Sequence, residues 1–177
     1  PDSAQAREAM MLGATQAGMA FSNASVALVH GMSRPIGAHF HVPHGLSNAM
    51  LLPAITEFSV PAAESRYADC ARQMGMVPAG TNDVTANRIL LEELKRLNED
   101  LAVPTPEDYG IDKETYINLL PMMAEQAIAS GSPSNNPRVP TVKEIITLYR
   151  QVYSRADSHF SSHTMVQKNS QQRRASL

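Results

Sequence analysis

Apolar residues recur at intervals of three and four along most of the 177-residue chain, and this spacing constrains the fold more than any other feature. Runs that alternate β-branched or aromatic residues with polar ones, which would indicate strands, are nearly absent. The 10 methionines are typical of an adaptable, helix-rich core. The sequence therefore predicts an all-α protein of six to eight helices, with no sheet beyond a trivial pair.

Capping residues and helix breakers divide this pattern into segments. Pro35 and Gly37 are expected to break or kink the second helix, and Pro121 to interrupt the sixth. In the first helix, Met10 and Met11 are expected to contribute to one apolar face. The helices are expected over residues 3–20, 23–32, 43–58, 61–74, 83–98, 112–130 and 141–153.

Charge and composition exclude several classes of protein. The 15 basic and 17 acidic residues give a net charge of −2, which argues against a general affinity for nucleic acids or anionic membranes. No apolar run approaches the roughly 18 residues of a membrane helix. A single cysteine excludes an intrachain disulfide and fits a reducing compartment. We therefore expect a cytoplasmic protein with no nucleic-acid or membrane partner.

The last part of the chain, residues 154–177, differs from the rest. It is rich in serine and glutamine, has few apolar residues and shows no period. Such a segment cannot bury enough surface to offset the entropy of ordering it. We expect a disordered tail.

Four of the 6 histidines, His30, His39, His41 and His44, fall within fifteen residues. Neutral imidazole is the commonest protein metal ligand, so the cluster raises the hypothesis of a metal site. The alternative is a set of hydrogen-bonded or exposed histidines. The break expected at 35–37 would allow two helices carrying His30 and His44 to converge on one ion.

Three short stretches surround these histidines: ALVHGM at 27–32, PIGA at 35–38 and PHGLSNAMLLP at 43–53. With His30 and His44 fourteen residues apart and the flanking glycines and prolines in place, they resemble the C-terminal signature of the iron-containing (group III) alcohol dehydrogenases. In that family a Rossmann-like N-terminal domain binds the nicotinamide cofactor, and an all-helical C-terminal domain closes the cleft. A divalent ion lies between them on one aspartate and three histidines.

The resemblance extends over residues 6–153 and implies a helical bundle like the C-terminal domain of dehydroquinate-synthase-like proteins and iron-type alcohol dehydrogenases. It implies that residues 1–153 form a helical metal-binding domain. In that domain His30 and His44 would be the last two histidine ligands of Fe²⁺ or Zn²⁺.

Two departures from the family pattern affect what is expected of this chain. The family's aspartate and first histidine ligands precede the region of the family that this chain resembles, and no glycine-rich cofactor loop follows a strand. The N-terminal domain that mainly binds NAD or NADP is therefore expected to be absent from this chain, which alone should be inactive. No catalytic residue is assigned. Many relatives also carry a histidine where this chain has Arg34, which would either bind an acidic neighbour or contact cofactor or substrate.

The residues between the two histidine motifs are expected to form a short linker. His39 and His41, which flank Phe40, would line the substrate side of the cleft, and Phe40 would form a pocket wall. The alternative is that both are solvated linker histidines.

The resemblance implies NAD(P)-linked oxidation of a small alcohol or reduction of an aldehyde. A maleylacetate-reductase-like enzyme, which uses a related scaffold without metal, is the alternative within the superfamily, but retention of His30 and His44 argues against it. A non-catalytic helical module that oligomerises is the contrasting alternative. Without its partner domain the chain should expose an apolar patch around residues 21–44, through which a homo-oligomer could form.

Overall fold

The computed structural model describes residues 2–155, which fold into seven α-helices with no strand in that range. The all-α prediction and the expected number of helices are confirmed. Most of the expected disordered tail, residues 156–177, lies outside the described part of the chain. The helices are α1 (Ala4–Ala24), α2 (Leu28–Phe40), α3 (His44–Ser59), α4 (Glu64–Gln73), α5 (Asp83–Asp100), α6 (Lys113–Ala129) and α7 (Val142–Tyr153).

Side-chain caps begin four of these helices where the sequence indicates. Ser3, Asn82 and Asp112 each accept a hydrogen bond from the backbone N–H three residues later. Thr141 and Glu144 form a reciprocal capping box at the start of α7. These bonds satisfy N–H groups that have no partner inside the helix.

The main core lies between α2, α3, α6 and α7, and a smaller one lies between α4 and α5. Alanines at the contact between α4 and α5 allow the two helices to pack closely. None of the helices within residues 2–155 is both long and apolar enough to cross a membrane. The largest fully buried side chains of the main core are those of Leu28, Met32, Ile36, Leu51, Tyr116, Leu120, Met123, Ile145 and Tyr149.

Buried tyrosines on α6 and α7 form hydrogen bonds between the helices of the main core. The Tyr149 hydroxyl donates to the Met32 carbonyl of α2 at 2.7 Å, and the Tyr116 hydroxyl donates to the Tyr149 carbonyl at 3.0 Å. Burial raises the pKa of both phenols, so both stay neutral donors. Because a buried hydroxyl without an acceptor costs free energy, these bonds specify how α7 packs against α2 and α6.

A short 3₁₀ turn, Ser132–Asn135, packs against the first turns of α2. Gly31 allows this approach, since a Cβ there would lie 2.9 Å from the ring of Pro133. The Asn135 amide also donates to the Val26 carbonyl at 3.0 Å. The start of α2 is thereby held in place from outside the helix.

Helix α1 differs from expectation. It begins as predicted but continues to Ala24, and it buries none of its side chains. Met10 and Met11, expected on an inward face, are 74% and 72% exposed. The periodicity correctly indicated a helix, but it could not indicate what packs on it.

Neither the break expected at 35–37 nor the interruption expected at Pro121 occurs. Pro35 and Pro121 lie inside continuous helices, and so does Pro53. Because α2 runs to Phe40, the expected linker shrinks to three residues, 41–43. A proline inside a helix leaves the carbonyl four residues earlier without its donor, so tertiary packing must compensate.

The clearest compensation occurs in α3. Pro53 cannot donate to the Ala49 carbonyl, and the side-chain amide of Asn98 on α5 donates to that carbonyl instead at 2.8 Å. A bond between two helices therefore replaces a bond within one. This exchange keeps α3 continuous through the proline.

His41 makes the turn between α2 and α3. Its φ of 55° and ψ of 27° are left-handed, and its N–H donates to the Gly37 carbonyl at 3.0 Å. The Val42 carbonyl then lies close to α2, where a Cβ on Gly37 would be 3.3 Å from it. Gly37 therefore serves a close backbone approach and not the break expected from the sequence. The turn folds the chain back onto α2.

Asn98 and Pro53 should be energetically coupled. Asn98→Ala should lower the free energy of unfolding by about 1–2 kcal/mol, because the Ala49 carbonyl loses its replacement donor. In a Pro53→Ala background the residue-53 N–H can donate to that carbonyl, so the same change should have less than half the effect. Urea unfolding of the four chains measures this coupling. Equal effects in both backgrounds would contradict it.

His41 should tolerate glycine better than a β-branched residue. His41→Val should lower the free energy of unfolding by about 1–2 kcal/mol, since a left-handed conformation crowds a branched Cβ. His41→Gly should be close to neutral. Thermal and urea unfolding check the order of the two variants, and a Val variant as stable as the Gly variant would rule out this structural role.

Candidate metal centre

His30 on α2 and His44 at the start of α3 face each other. The centres of their rings are 5.2 Å apart, and the ring planes are inclined by 55°. His30 is partly buried, whereas His44 is exposed. The turn formed by residues 41–43 brings the two imidazoles together although fourteen residues separate them.

Asn48, one helical turn after His44, lies between the two rings. Its side-chain nitrogen is 3.2 Å from His44 Nε2 and 3.5 Å from His30 Nε2. Both Nε2 atoms therefore point to the same small region. The Asn48 Oδ1 atom is buried and has no hydrogen-bond partner within the described residues.

Arg34 lies one turn after His30 on the same face of α2. Its guanidinium donates to Ser132 Oγ at 3.3 Å, and within residues 2–155 it forms no ion pair with an acidic neighbour. Burial of the His30 ring lowers its pKa, and the nearby positive charges of His44 and Arg34 lower it further. His30 is thus kept neutral, the form in which imidazole binds metals.

The donor set at this point contains two imidazoles only. No group of three or more His, Cys, Asp or Glu side chains suited to a metal ion occurs among residues 2–155. Two converging Nε2 atoms fit a divalent ion of the zinc or iron type, which takes imidazole readily. They could supply half of a four-coordinate shell, and a complete shell would need further ligands.

Among the other residues selected from the sequence, His39 faces away from His30. His39 lies nine positions after His30, which on a helix of about 3.6 residues per turn is the opposite side. Its Nε2 is 2.9 Å from Gln126 Oε1 on α6.

Phe40 ends α2 and is not in a linker. It is partly buried, its ring lies 5.7 Å from that of Tyr116, and it borders a shallow depression together with Tyr109 and Thr115. It therefore contributes both to the core and to a surface depression. His41 is exposed and makes the left-handed turn.

Asn48 is the site residue that the sequence analysis did not single out. The signal available for it was its spacing, because a residue four positions after His44 on a helix shares its face. Asparagine is common and uncharged, so this spacing alone does not distinguish it from other polar helix positions.

The lowered pKa of His30 predicts a pH dependence of stability. Between the lowered pKa of the folded chain and the usual value of 6.5, the unfolded chain binds more protons. The free energy of unfolding should therefore fall as the pH drops from above 6.5 through that window, and His30→Ala should reduce the dependence. Urea unfolding across this range tests it, with NMR titration of the His30 ring. A His30 ring that titrates above 6.5 would contradict the prediction.

Comparison with known proteins identifies the family of this chain. Residues 1–153 match the family model of the Fe-containing alcohol dehydrogenase family, C-terminal. Lactaldehyde reductase of Escherichia coli K12 is 36% identical over 149 residues, which cover 84% of this chain and 38% of that protein. The 1,3-propanediol dehydrogenase of Citrobacter freundii is 34% identical over 150 residues, again 84% of this chain and 38% of that protein. The chain thus spans about 38% of the length of these curated relatives.

Solved structures of alcohol dehydrogenases also resemble this chain. A 1,3-propanediol oxidoreductase superposes with a TM-score of 0.79 at 33% identity, covering 86% of this chain and 39% of that one. An iron-containing alcohol dehydrogenase from Thermococcus thioreducens superposes with a TM-score of 0.68 at 38% identity, covering 79% and 35%. The chain belongs to the Fe-containing alcohol dehydrogenase family, whose C-terminal domain it matches.

Proposed function

We propose that this chain is the metal-holding helical domain of an NAD(P)-dependent alcohol dehydrogenase that acts on a small alcohol or aldehyde. The observation that carries the proposal is the convergence of His30 and His44, whose Nε2 atoms both lie within 3.5 Å of one amide nitrogen. In this proposal residues 1–153 are the metal-binding domain, and the enzyme works in the cytoplasm.

His30 and His44 would hold Fe²⁺ or Zn²⁺ through their Nε2 atoms. Such an ion supplies Lewis-acid polarisation of the substrate oxygen when it is bound. The two histidines would orient the ion, and the burial of His30 keeps that ring in the neutral form that binds metals. Further ligands, together with most of the contacts to NAD or NADP, would come from a nucleotide-binding domain outside this chain.

Arg34 would contact the cofactor or the substrate. Its guanidinium is exposed beside His30, and an exposed cation attracts phosphate or carboxylate groups. His39, Phe40 and His41 would contribute to the substrate side of the cleft, and Phe40 borders a surface depression there.

The substrate class is inferred from the relatives. Lactaldehyde reductase, 1,3-propanediol dehydrogenase and the NADPH-dependent butanol dehydrogenase of Clostridium saccharobutylicum are each 34–36% identical to this chain. All three names refer to short alcohols or aldehydes. We therefore propose a substrate of this size, and a reaction in which hydride passes between it and the nicotinamide.

A non-catalytic module that self-associates is the second candidate. The observation that favours it is α1, on which five large apolar side chains are more than half exposed. They are Met10, Met11, Leu12, Met19 and Phe21. Light scattering distinguishes the candidates, because a chain that is monodisperse and monomeric would exclude self-association. The alternative within the superfamily, a maleylacetate-reductase-like enzyme, would differ in staying active without any metal.

The isolated chain should bind zinc weakly. Two neutral imidazoles without a carboxylate offer the ion no compensating charge, so affinity should lie orders of magnitude below that of a four-ligand site. Calorimetric titration with Zn²⁺ should show this binding, lost in His30→Ala and in His44→Ala and kept in Asn118→Ala, an exposed polar residue on α6. Tight binding would instead reveal a complete site with ligands beyond His30 and His44.

Activity should appear when a nucleotide-binding domain and its ligands are supplied. In a chimera, residues 1–153 replace the matching C-terminal part of E. coli lactaldehyde reductase. We expect nicotinamide-linked turnover of short alcohols or aldehydes, with kcat/KM reduced about 100-fold or more by His30→Ala or His44→Ala. Asn118→Ala should leave it unchanged. A folded chimera whose activity is indifferent to both histidines would refute the proposed function.

A further inference from the structure

The side chain of Asn48 contacts both histidines of the candidate centre. Its amide nitrogen carries two hydrogens, and the two nearest ring atoms are His44 Nε2 at 3.2 Å and His30 Nε2 at 3.5 Å. The amide can therefore donate one hydrogen to each ring. Its oxygen is turned away into the protein, where no donor among the described residues meets it.

This arrangement specifies the tautomer of each ring in its neutral form. A neutral imidazole has one N–H donor and one lone pair, so a ring that accepts at Nε2 must carry its hydrogen on Nδ1. A ring with hydrogen on Nε2 would present a donor to the Asn48 amide donor, and the two would repel. Both rings must therefore be Nδ1–H tautomers if the amide nitrogen faces them.

We infer that Asn48 is a positioning residue that holds His30 and His44 in the tautomer and orientation required for binding a metal through Nε2. The inference rests on the proposed function, since it assigns Asn48 a task toward the same ion. In the metal-free chain the two amide hydrogens occupy the lone pairs that the ion would take. Because both Nε2 atoms are already aimed at one point, the rings need little reorientation when the ion replaces the amide hydrogens.

The position of Asn48 on α3 makes this possible. It lies four residues after His44, so the geometry of helix α3 alone places the amide beside that ring. The packing of α3 against α2 then brings the same amide to His30. A single side chain thus links a local contact within α3 to a contact between two helices.

Nitrogen NMR of the histidine rings in the full 177-residue chain, at a pH above 7, tests the inference. Both His30 and His44 should show a protonated Nδ1 and an unprotonated Nε2. In Asn48→Ala at least one ring should shift toward the Nε2–H tautomer, and the affinity for Zn²⁺ followed by the same spectra should fall roughly 10-fold. Asn118→Ala, which alters an exposed asparagine on α6, is the matched control and should change neither quantity.

Asn48→Asp keeps the shape of the side chain and reverses its hydrogen bonding. A carboxylate can only accept, so both rings should adopt Nε2–H in the metal-free chain. The same carboxylate adds an anionic ligand, so zinc affinity should rise roughly 10-fold or more. A side chain that merely filled space would change neither the tautomer nor the affinity in this opposed pattern.

Rings that carry hydrogen on Nε2 in the wild-type chain would overturn the inference, as would tautomers or a zinc affinity that Asn48→Ala leaves unchanged. The proposed function fails separately. If the wild-type chain binds no zinc while both rings carry hydrogen on Nδ1, the metal role of the pair is wrong and the positioning of the rings by Asn48 stands.

Discussion

A three-residue turn, 41–43, joins α2 to α3, and the placement of the candidate metal centre depends on it. His41 adopts a left-handed conformation that few residues other than glycine accept readily. The turn is closed by a hydrogen bond to the Gly37 carbonyl, and Gly37 has no side chain to obstruct the returning Val42. α3 can therefore pack on α2, and its first residues reach the ring of His30.

The scaffold behind this turn is rigid for a different reason. Tyr149 fastens α7 to the middle of α2, and Pro133 packs on Gly31 at its start. Both contacts lie within two residues of His30 in sequence. The histidine therefore sits on a helix segment that is held from two sides, while its own ring faces the opening between α2 and α3. A metal ligand benefits from such support because its orientation does not have to be selected on binding.

Most of the fold could be predicted from the sequence, because helix formation in this chain depends on local signals. Caps such as Asn82 and Thr141 accept from N–H groups three residues away, so the residues that begin these helices lie close together in the sequence. The prolines could not be judged in this way. Whether Pro53 ends a helix depends on Asn98, forty-five residues later in the chain. The exposure of α1 could not be predicted either, because periodicity indicates an apolar face but not whether anything packs on it.

Some residues of the candidate site could be predicted from the sequence, and others became apparent only from the fold. A break at 35–37 was expected to let His30 and His44 converge. Their rings do lie together, but the turn at 41–43 brings them there. His39 and Phe40 were assigned to a linker because Pro35 was expected to end the helix; with α2 continuous, helical geometry turns His39 toward Gln126. Asn48 carries no charge and belongs to no ligand pattern, so its position between the rings became apparent only from the fold.

The exchange of donors at Ala49 has a consequence for how this sequence can change over time. An asparagine at position 98 is harmless with or without a proline at 53, since a half-exposed amide finds other partners in water. A proline at 53 without Asn98 leaves a carbonyl in the helix unsatisfied. Gaining the proline therefore costs less when Asn98 is already present, and the asparagine cannot be lost without cost while the proline remains.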